Sequence, residues 1–333
     1  MSTQAPDLVL STSPFLREGT TTPRIMLEVL AAALLVLGVA CWNFGIGALL
    51  VVGAATAGAV GTEWFFSRSK PFSTIRDYSA LLTGVLLGLT LPPIMPLWMA
   101  FLGGVAGIGL GKLIFGGLGQ NLFNPALVGR AFLQAAFPTA ITTWSEPIKP
   151  GEFLAVPESL AAMPLMQGKV DAVSAATPLG LAKFENQITE AASLFLGNTS
   201  GSLGETSAGL LLLIGLWLGA RRLFDWRLPV STILSVALFS GGLYLVNPEA
   251  YPPPLFMVFS GGLLFGAVFM VTDPVTTPTP PRGAWIFGLG VGFLVVLIRL
   301  FGGLPEGVMY AILFMNAVTP HINRATQPRP FGG

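Results

Sequence analysis

Charged side chains are scarce in this chain of 333 residues. Lysine and arginine together number 17 and aspartate and glutamate 16, so charged residues make up 10% of the sequence. Soluble domains usually carry about 25% charged residues, whereas 53% of the residues here are hydrophobic. This composition excludes a water-soluble enzyme and an intrinsically disordered chain. The net charge of +1 gives no reason to expect a nucleic-acid partner.

Cysteine and histidine occur once each, as Cys41 and His321. One cysteine excludes an internal disulfide, a structural zinc site and an iron–sulfur cluster ligated by this chain alone. One histidine, close to the C-terminus, argues against haem and against a histidine-based catalytic centre. Any redox chemistry must therefore be supplied by an organic cofactor.

Long apolar runs fill most of the remaining sequence, and they are continuous rather than alternating, which favours helices over membrane strands. A helix needs roughly 20 apolar residues to cross a bilayer core about 30 Å thick. The sequence predicts an all-α polytopic membrane protein with ten spans, of which the third and fifth are short and bent or re-entrant. The predicted spans are residues 25–42, 44–66, 78–91, 93–115, 121–137, 205–220, 228–246, 254–272, 283–301 and 304–319.

Basic residues indicate the orientation of these spans, because short cytoplasmic loops carry an excess of lysine and arginine. The loop 138–204 between the two groups of spans carries three lysines and six acidic residues, so it is predicted to be extracytoplasmic. Both termini are then cytoplasmic. The basic residues predicted on the cytoplasmic side are Arg17, Arg24, Arg68, Lys70, Arg76, Lys112, Arg221, Arg222, Arg227, Arg282, Arg324 and Arg329.

The chain divides accordingly into five predicted segments. They are a cytoplasmic N-terminal segment (1–24), a first transmembrane bundle (25–137), an extracytoplasmic loop (138–204), a second transmembrane bundle (205–319) and a cytoplasmic tail (320–333). Five spans in each half would place the halves in opposite orientations, as in transporters built from inverted repeats.

The predicted extracytoplasmic loop contains a short polar motif, residues 171–179, in which Asp171, Ser174 and Thr177 precede Pro178. These residue types are typical of a turn, because their side chains bond to the local backbone. The motif also resembles the flavin-attachment motif of a family of membrane proteins. That family includes the D subunit of the Rnf-type ion-translocating ferredoxin:NAD oxidoreductase and the B subunit of the sodium-translocating NADH:quinone oxidoreductase.

The resemblance covers most of the chain, and the length is closer to that of the Rnf-type D subunit. The segments that carry it are 76–84, 91–93, 116–126, 201–207, 273–278 and 315–320. The resemblance implies that a flavin transferase joins FMN through its phosphate to the hydroxyl of Thr177. Asp171, Ser174 and Ala176 then belong to the attachment motif. The sequence departs from the family at Ala175, where glycine is usual, and alanine loses the access to positive φ that glycine has.

What the resemblance implies about function is a flavoprotein subunit that relays electrons between the ferredoxin and NAD branches of a complex. The resemblance also implies that electron transfer is coupled to transport of Na⁺ or H⁺ across the bacterial cytoplasmic membrane. The implied partners are the other subunits of the complex, including a second covalent flavoprotein and iron–sulfur subunits, together with the lipid bilayer. No independent substrate site is expected in this chain.

The triplet Asn124-Pro125-Ala126 is open to three interpretations. Water channels use two such triplets facing each other, and this chain has one. Asparagine at an N-cap followed by proline is a common helix start. The resemblance implies instead that Asn121 and Asn124, with Thr83 and Asp273, line a pocket for a second flavin, a non-covalent riboflavin. The last two interpretations stay open.

Two further ionisable residues, Glu63 and Arg130, are predicted at membrane depth. Such residues usually face the protein interior and often line an ion path, so both are candidates for one; a structural ion pair explains them equally well. The alternative function is a cofactor-free secondary transporter or channel for a small solute or ion. A transporter of that kind has no need for the motif at 171–179.

Overall fold

The computed structural model describes residues 21–67, 74–147, 153–154, 156–164, 175–197, 199–205 and 207–328. Every regular element in these ranges is helical. The α-helices are α1 (Thr22–Phe44), α2 (Ile46–Ser67), α3 (Ser79–Leu89), α4 (Leu97–Ile108), α5 (Pro125–Ala136), α6 (Pro138–Thr142), α7 (Pro178–Phe184), α8 (Ala191–Leu196), α9 (Ala208–Ala220), α10 (Arg227–Val246), α11 (Pro254–Phe259), α12 (Leu263–Phe265), α13 (Pro281–Phe301) and α14 (Val308–Thr326).

Four of these helices, α1, α2, α10 and α13, are long and apolar enough to cross a membrane. Three shorter apolar helices accompany them: α3, α9, and α4 together with the π-helical segment Gly109–Leu113 that extends it. The chain is therefore a polytopic membrane protein that is all-helical over the residues described above. Helices occupy each of the ten segments expected from the sequence, whereas the number of complete crossings stays a prediction.

Helices α2 and α4 pack with their backbones in direct contact, because glycines lie where they cross. A Cβ atom on Gly58 would lie 2.9 Å from the carbonyl carbon of Phe101, and one on Gly104 would lie 2.7 Å from the amide nitrogen of Ala59. Such small residues allow the close approach that holds membrane helices together without a hydrophobic driving force.

The second half of the chain contains a similar crossing between α10 and α13. A Cβ atom on Gly292 would lie 2.6 Å from the carbonyl oxygen of Thr232, and one on Gly288 would lie 2.9 Å from that of Leu228. In both halves the second predicted span packs closely against the fourth. A repeat of five helices predicts this correspondence, and the repeat itself stays a prediction.

The clearest helix interruption lies in the eighth predicted span, not in the third or fifth. Helix α11 ends at Phe259, the backbone turns at Gly261 with φ of 64°, and α12 begins at Leu263 before the π-helical segment Gly266–Met270. A positive φ is readily adopted by glycine alone among common residues. The third and fifth spans are short instead, because α3 ends ahead of Pro92 and Pro93 and α5 begins only at Pro125.

Candidate functional site

Thr177 belongs to a short non-helical segment, residues 175–177, that leads into α7. Its Oγ1 accepts a hydrogen bond of 3.1 Å from the Gly180 amide, so Thr177 is the N-cap of α7. The Ala175 amide donates to the Trp144 carbonyl at 3.0 Å, and the Ala176 carbonyl accepts from Ser200 Oγ at 2.6 Å. The threonine is thus fixed by its own cap and by bonds from both preceding residues. Asp171 and Ser174 lie outside the described residues.

Thr177 forms part of the wall of a cavity with a volume of about 420 Å³, here called the Thr177 cavity. Its other polar walls include Arg130 and Gln134 of α5, and its aromatic walls include Trp144 and Tyr310. Ligand pockets in proteins typically enclose about 300–1,000 Å³ and combine apolar walls with a few polar groups. The cavity therefore has the size and composition of a cofactor site beside an available hydroxyl.

Two carboxylates, Glu205 and Glu306, line the Thr177 cavity close to the interruption after α11. Glu306 Oε2 accepts from the Gly262 amide at 3.1 Å and lies 3.3 Å from Arg299 Nη2. Arg299 in turn donates to the carbonyls at the end of α11, to Met257 at 2.6 Å and to Ser260 at 3.0 Å. The ion pair thereby satisfies backbone groups that the interrupted helix leaves free.

Lys183 attaches α7 to the end of α13. Its Nζ donates to the carbonyls of Arg299 and Leu304 at 3.0 Å each and to the carbonyl of Gly302. Carbonyls at a helix C-terminus favour a cation. Burial lowers the pKa of Lys183 from its usual value. The lysine thus fixes the element that begins at Thr177 to the second group of helices.

The four residues of the second predicted site lie together in the structure. Thr83, Asn121, Asn124 and Asp273 all line one cavity, here called the Asn124 cavity. Asn124 Oδ1 accepts from the amides of Ala126 and Leu127 at 3.0 and 3.3 Å, and its Nδ2 donates to Asp273 Oδ2 at 3.4 Å. Asn124 is therefore a helix cap and a cavity residue at the same time, so the two interpretations that the sequence left open are compatible.

The Asn124 cavity offers hydrogen-bonding groups but little space. Asn121 Oδ1 is buried and has no hydrogen-bond partner among the described residues, so an acceptor is available beside the amide of Asn124. The volume is about 80 Å³, below the range of typical ligand pockets. The polar groups fit the edge of an isoalloxazine ring, whereas the ring itself requires movement of apolar walls such as Leu118 and Phe224.

Glu63 and Arg130, the two candidates for an ion path, lie in different parts of the molecule. Arg130 lines the Thr177 cavity. Glu63 is fully buried and its Oε1 accepts from Lys112 Nζ at 2.7 Å. The sequence predicts Lys112 at the cytoplasmic end of the fourth span, and its side of the membrane stays a prediction. The structure adds that the lysine is buried, at 1% exposed. The apolar residues on both sides of Lys112 were the available signal for its burial.

A family model described as "NQR2, RnfD, RnfE family" matches residues 9–332 of the chain. The chain belongs to this family. The D subunit of a proton-translocating ferredoxin:NAD(+) oxidoreductase complex from Clostridium ljungdahlii is 42% identical, over 97% of this chain and 96% of the relative. The D subunit of an ion-translocating oxidoreductase complex from Stutzerimonas stutzeri is 40% identical, over 93% and 92%. The D subunit of a Na(+)-translocating ferredoxin:NAD(+) oxidoreductase complex from Acetobacterium woodii is 38% identical, over 98% and 96%.

Family membership confirms the resemblance drawn from the sequence segments. The match spans both groups of helices and the region between them. It therefore covers both cavities.

Proposed function

We propose that this chain is the membrane flavoprotein subunit of an ion-translocating oxidoreductase complex and that Thr177 carries FMN through a phosphoester. The subunit relays electrons between the ferredoxin and NAD branches of the complex, coupled to transport of Na⁺ or H⁺. Its relatives are named as subunits of such complexes. The observation that carries the proposal is the position of the Thr177 hydroxyl on the wall of a cavity of about 420 Å³.

The residues of the Thr177 cavity fit a flavin mononucleotide. Arg130 and Gln134 supply donors to anionic and carbonyl groups, and Trp144 and Tyr310 supply aromatic surface. When bound, a flavin supplies electron transfer that the twenty side chains do not. The chain contributes orientation, because the bonds at Ala175, Ala176 and Thr177 fix the attachment point. A tether also prevents loss of the cofactor from the extracytoplasmic side.

The Asn124 cavity is the proposed site of a second flavin, riboflavin, held without a covalent bond. Asn121, Asn124, Thr83 and Asp273 would bond to the polar edge of its ring. Asn124 caps the start of α5 and Asp273 follows the π-helical segment Gly266–Met270, and irregular backbone in membrane proteins lines a cavity.

The proposed arrangement in the membrane follows the distribution of basic residues. The chain crosses the bacterial cytoplasmic membrane ten times, both termini are cytoplasmic, and Thr177 faces the opposite side, where its transferase acts. Thr177 is half-buried rather than enclosed, which supports access by an enzyme. The proposed partners are the other subunits of the complex, among them a second covalent flavoprotein and iron–sulfur subunits.

The decisive experiment compares flavin content in variants of Thr177, produced together with the transferase. Thr177→Ala should lose covalent flavin and electron transfer but remain inserted, whereas Thr177→Ser should retain part of the flavin because the hydroxyl survives. In-gel fluorescence of the denatured chain and mass spectrometry of the peptide 175–183 measure the attachment.

Thr143→Ala is the matched control. Thr143 is a half-buried threonine of the same loop, outside the lining of the Thr177 cavity in the described residues, and its replacement should leave the flavin in place. FMN on the Thr177→Ala chain, or none on the parent, would contradict the proposal. The second outcome would point to Ala175 and would favour the cofactor-free transporter.

A further inference from the structure

Lys112 lies inside the protein at the π-helical end of α4, where its ammonium pairs with two carboxylates. Its Nζ donates to Glu63 Oε1 at 2.7 Å and to Ser79 Oγ at 2.6 Å. The same atom lies 3.8 Å from Asp77 Oδ2. Ser79 Oγ donates to Asp77 Oδ1 at 2.6 Å and so joins the two acids in one network. A π-helical turn of this kind is frequent at functional sites.

The charges in this network do not balance. One ammonium faces two carboxylates, and Glu63 Oε2 is buried without a hydrogen-bond partner among the described residues. A buried carboxylate oxygen that has no partner is energetically costly. One additional positive charge at Glu63 Oε2 would remove the imbalance.

Other charged groups near Glu63 do not supply that charge. The elements packed against α2 are α1, the 3₁₀ segment Thr74–Asp77, α3, and α4 with its extension. In the described parts of these elements, Lys112 is the one cation that hydrogen-bonds to Glu63. The remaining charged groups that they carry are Arg24, Glu28 and Arg76.

Lys112 has a second environment, because it also lines the Asn124 cavity together with Ser79, Asn124 and Asp273. Lys112 therefore borders that cavity and also pairs with the two carboxylates. A negative charge inside the cavity would attract it and weaken its interaction with Glu63.

We propose that Glu63, Asp77 and Ser79 bind one exchangeable monovalent cation, a proton or Na⁺, and that Lys112 sets its affinity by competing for the same carboxylates. One negative charge entering the Asn124 cavity and one cation entering the carboxylate site leave the net charge of the region unchanged. The electron that brings this charge comes from the oxidoreductase activity of the proposed complex. This coupling rests on the proposed function, whereas cation binding by the carboxylates does not.

The test measures thermal unfolding of the full chain in lipid nanodiscs. NaCl replaces choline chloride at constant ionic strength, and the series is repeated from about pH 6 to pH 9. If the cation is Na⁺, the unfolding midpoint should rise with NaCl and saturate, because ligand binding stabilises the folded state. If it is a proton, NaCl should have no effect and the midpoint should fall as pH rises.

Three variants decide the role of each residue. Lys112→Met imitates complete withdrawal of the ammonium and should lower the half-saturating Na⁺ concentration about tenfold or more, or move the pH response upward by about one unit or more. Glu63→Gln should abolish the response. Glu28→Gln is the matched control, since Glu28 pairs with Arg24 and Arg221 away from this site, and its response should equal that of the parent.

Several results would overturn the inference. They are a parent without any cation or pH response, a Glu63→Gln chain that responds like the parent, and a Lys112→Met chain with unchanged or weaker affinity. If Lys112→Met does not fold, Asp77→Asn replaces it, because Asp77 is partly exposed. Asp77→Asn should weaken the affinity for the cation, and an unchanged affinity in that variant would also contradict the inference. A Thr177→Ala chain should keep the cation or pH response. Failure of the flavin proposal and failure of the cation-site proposal can therefore be distinguished.

Discussion

Single side chains connect the segment that begins at Thr177 to the long helices, and Lys183 of α7 is the clearest example. Three backbone carbonyls at the end of α13 accept hydrogen bonds from its ammonium. Gly302 ends α13 with an extended backbone, so it does not form the left-handed glycine cap that is common at helix C-termini. Lys183 is therefore one of the contacts that position α7 and, with it, Thr177.

Lys183→Met should loosen α7, because methionine keeps the apolar stem and removes all three hydrogen bonds. Bonds from a charged donor contribute about 1.5–3 kcal/mol each at most sites, so amide exchange within α7 should accelerate at least about tenfold. Hydrogen exchange measures this, and flavin yield at Thr177 should fall in parallel. Glu190→Gln, an exposed change near the start of α8, serves as control. Unchanged exchange in Lys183→Met would show that other contacts hold α7.

Asn124 has two roles that substitutions can separate. Asn124→Ser keeps an N-cap oxygen and loses the amide that donates to Asp273, whereas Asn124→Leu loses both. The serine variant should keep its stability and lose the flavin released by denaturation, while the leucine variant should also lose about 1 kcal/mol of stability. Chromatography of the released flavin and denaturation curves measure the two effects. Equal amounts of released flavin from the parent and from Asn124→Ser would show that this cavity does not bind the second flavin.

Sequence reasoning at this scale found residues whose chemistry is local. Asn124 followed by proline is a capping signal, and the structure places Thr83, Asn121 and Asp273 beside it. The network of Lys112, Glu63 and Ser79 was missed because the three residues come from different helices. Their contact depends on the crossing of α2, α3 and α4, which hydropathy does not describe.

At the scale of helices, the interruption after α11 is stabilised by side chains from α13 and from the segment before α14. Arg299 binds the carbonyls of Met257 and Ser260, and Glu306 binds the amide of Gly262. A broken helix in a membrane must have its free backbone groups satisfied in this way.

Arg299→Met should therefore destabilise the folded chain by about 3–5 kcal/mol, because Glu306 and two carbonyls lose their buried partner. Arg299→Met combined with Glu306→Gln should recover part of the loss, since no unpaired carboxylate remains. Arg221→Met, which removes an exposed pair with Glu28, should change stability little. Reversible denaturation in mixed micelles compares the three. Equal effects of Arg299→Met and Arg221→Met would mean that the buried arginine does not stabilise the break.

The crossing of α2 and α4 depends on the absence of side chains. Gly58→Ala should destabilise by about 1–3 kcal/mol, because the added Cβ would meet the backbone of Phe101. Gly61→Ala on the same helix is the matched control, since nothing lies within 4 Å of its added Cβ, and alanine there should be neutral or stabilising by up to about 1 kcal/mol. The same denaturation assay distinguishes them. Comparable stabilities of Gly58→Ala and Gly61→Ala would show that α2 and α4 can move apart with little loss of folding free energy.

Hydropathy was sufficient to locate the apolar helices of this chain, because each predicted span contains at least one, whereas the short helices α6, α7 and α8 lie in the predicted loop 138–204. It was not sufficient to locate the interruption. The Gly261-Gly262 pair was a visible signal, but glycines are frequent here, 41 in all, and many of those described lie where helices pack closely. Only the positions of Arg299 and Glu306 distinguish this pair from the others.

At the scale of the whole molecule, the two halves show related features. The fourth predicted span carries the buried Lys112 near its C-terminal end, and the ninth carries the buried Arg299 near its own. Each cation pairs with a carboxylate. Lys112 itself lines the Asn124 cavity, and Glu306, the partner of Arg299, lines the Thr177 cavity. In an inverted repeat these ends lie on opposite sides of the membrane. That arrangement would give each proposed flavin its own buried cation.

Reporter fusions test this arrangement directly. Ten spans with cytoplasmic termini require that a reporter fused after Phe331 is active only in a cytoplasmic form, such as a fluorescent protein. A fusion after Glu190 should be active only as an exported phosphatase, because five spans precede it. A fusion after Arg222 is the internal control and should behave as the one after Phe331. Phosphatase activity of the fusion after Phe331 would mean an odd number of spans. The extracytoplasmic position proposed for Thr177 would then no longer be supported.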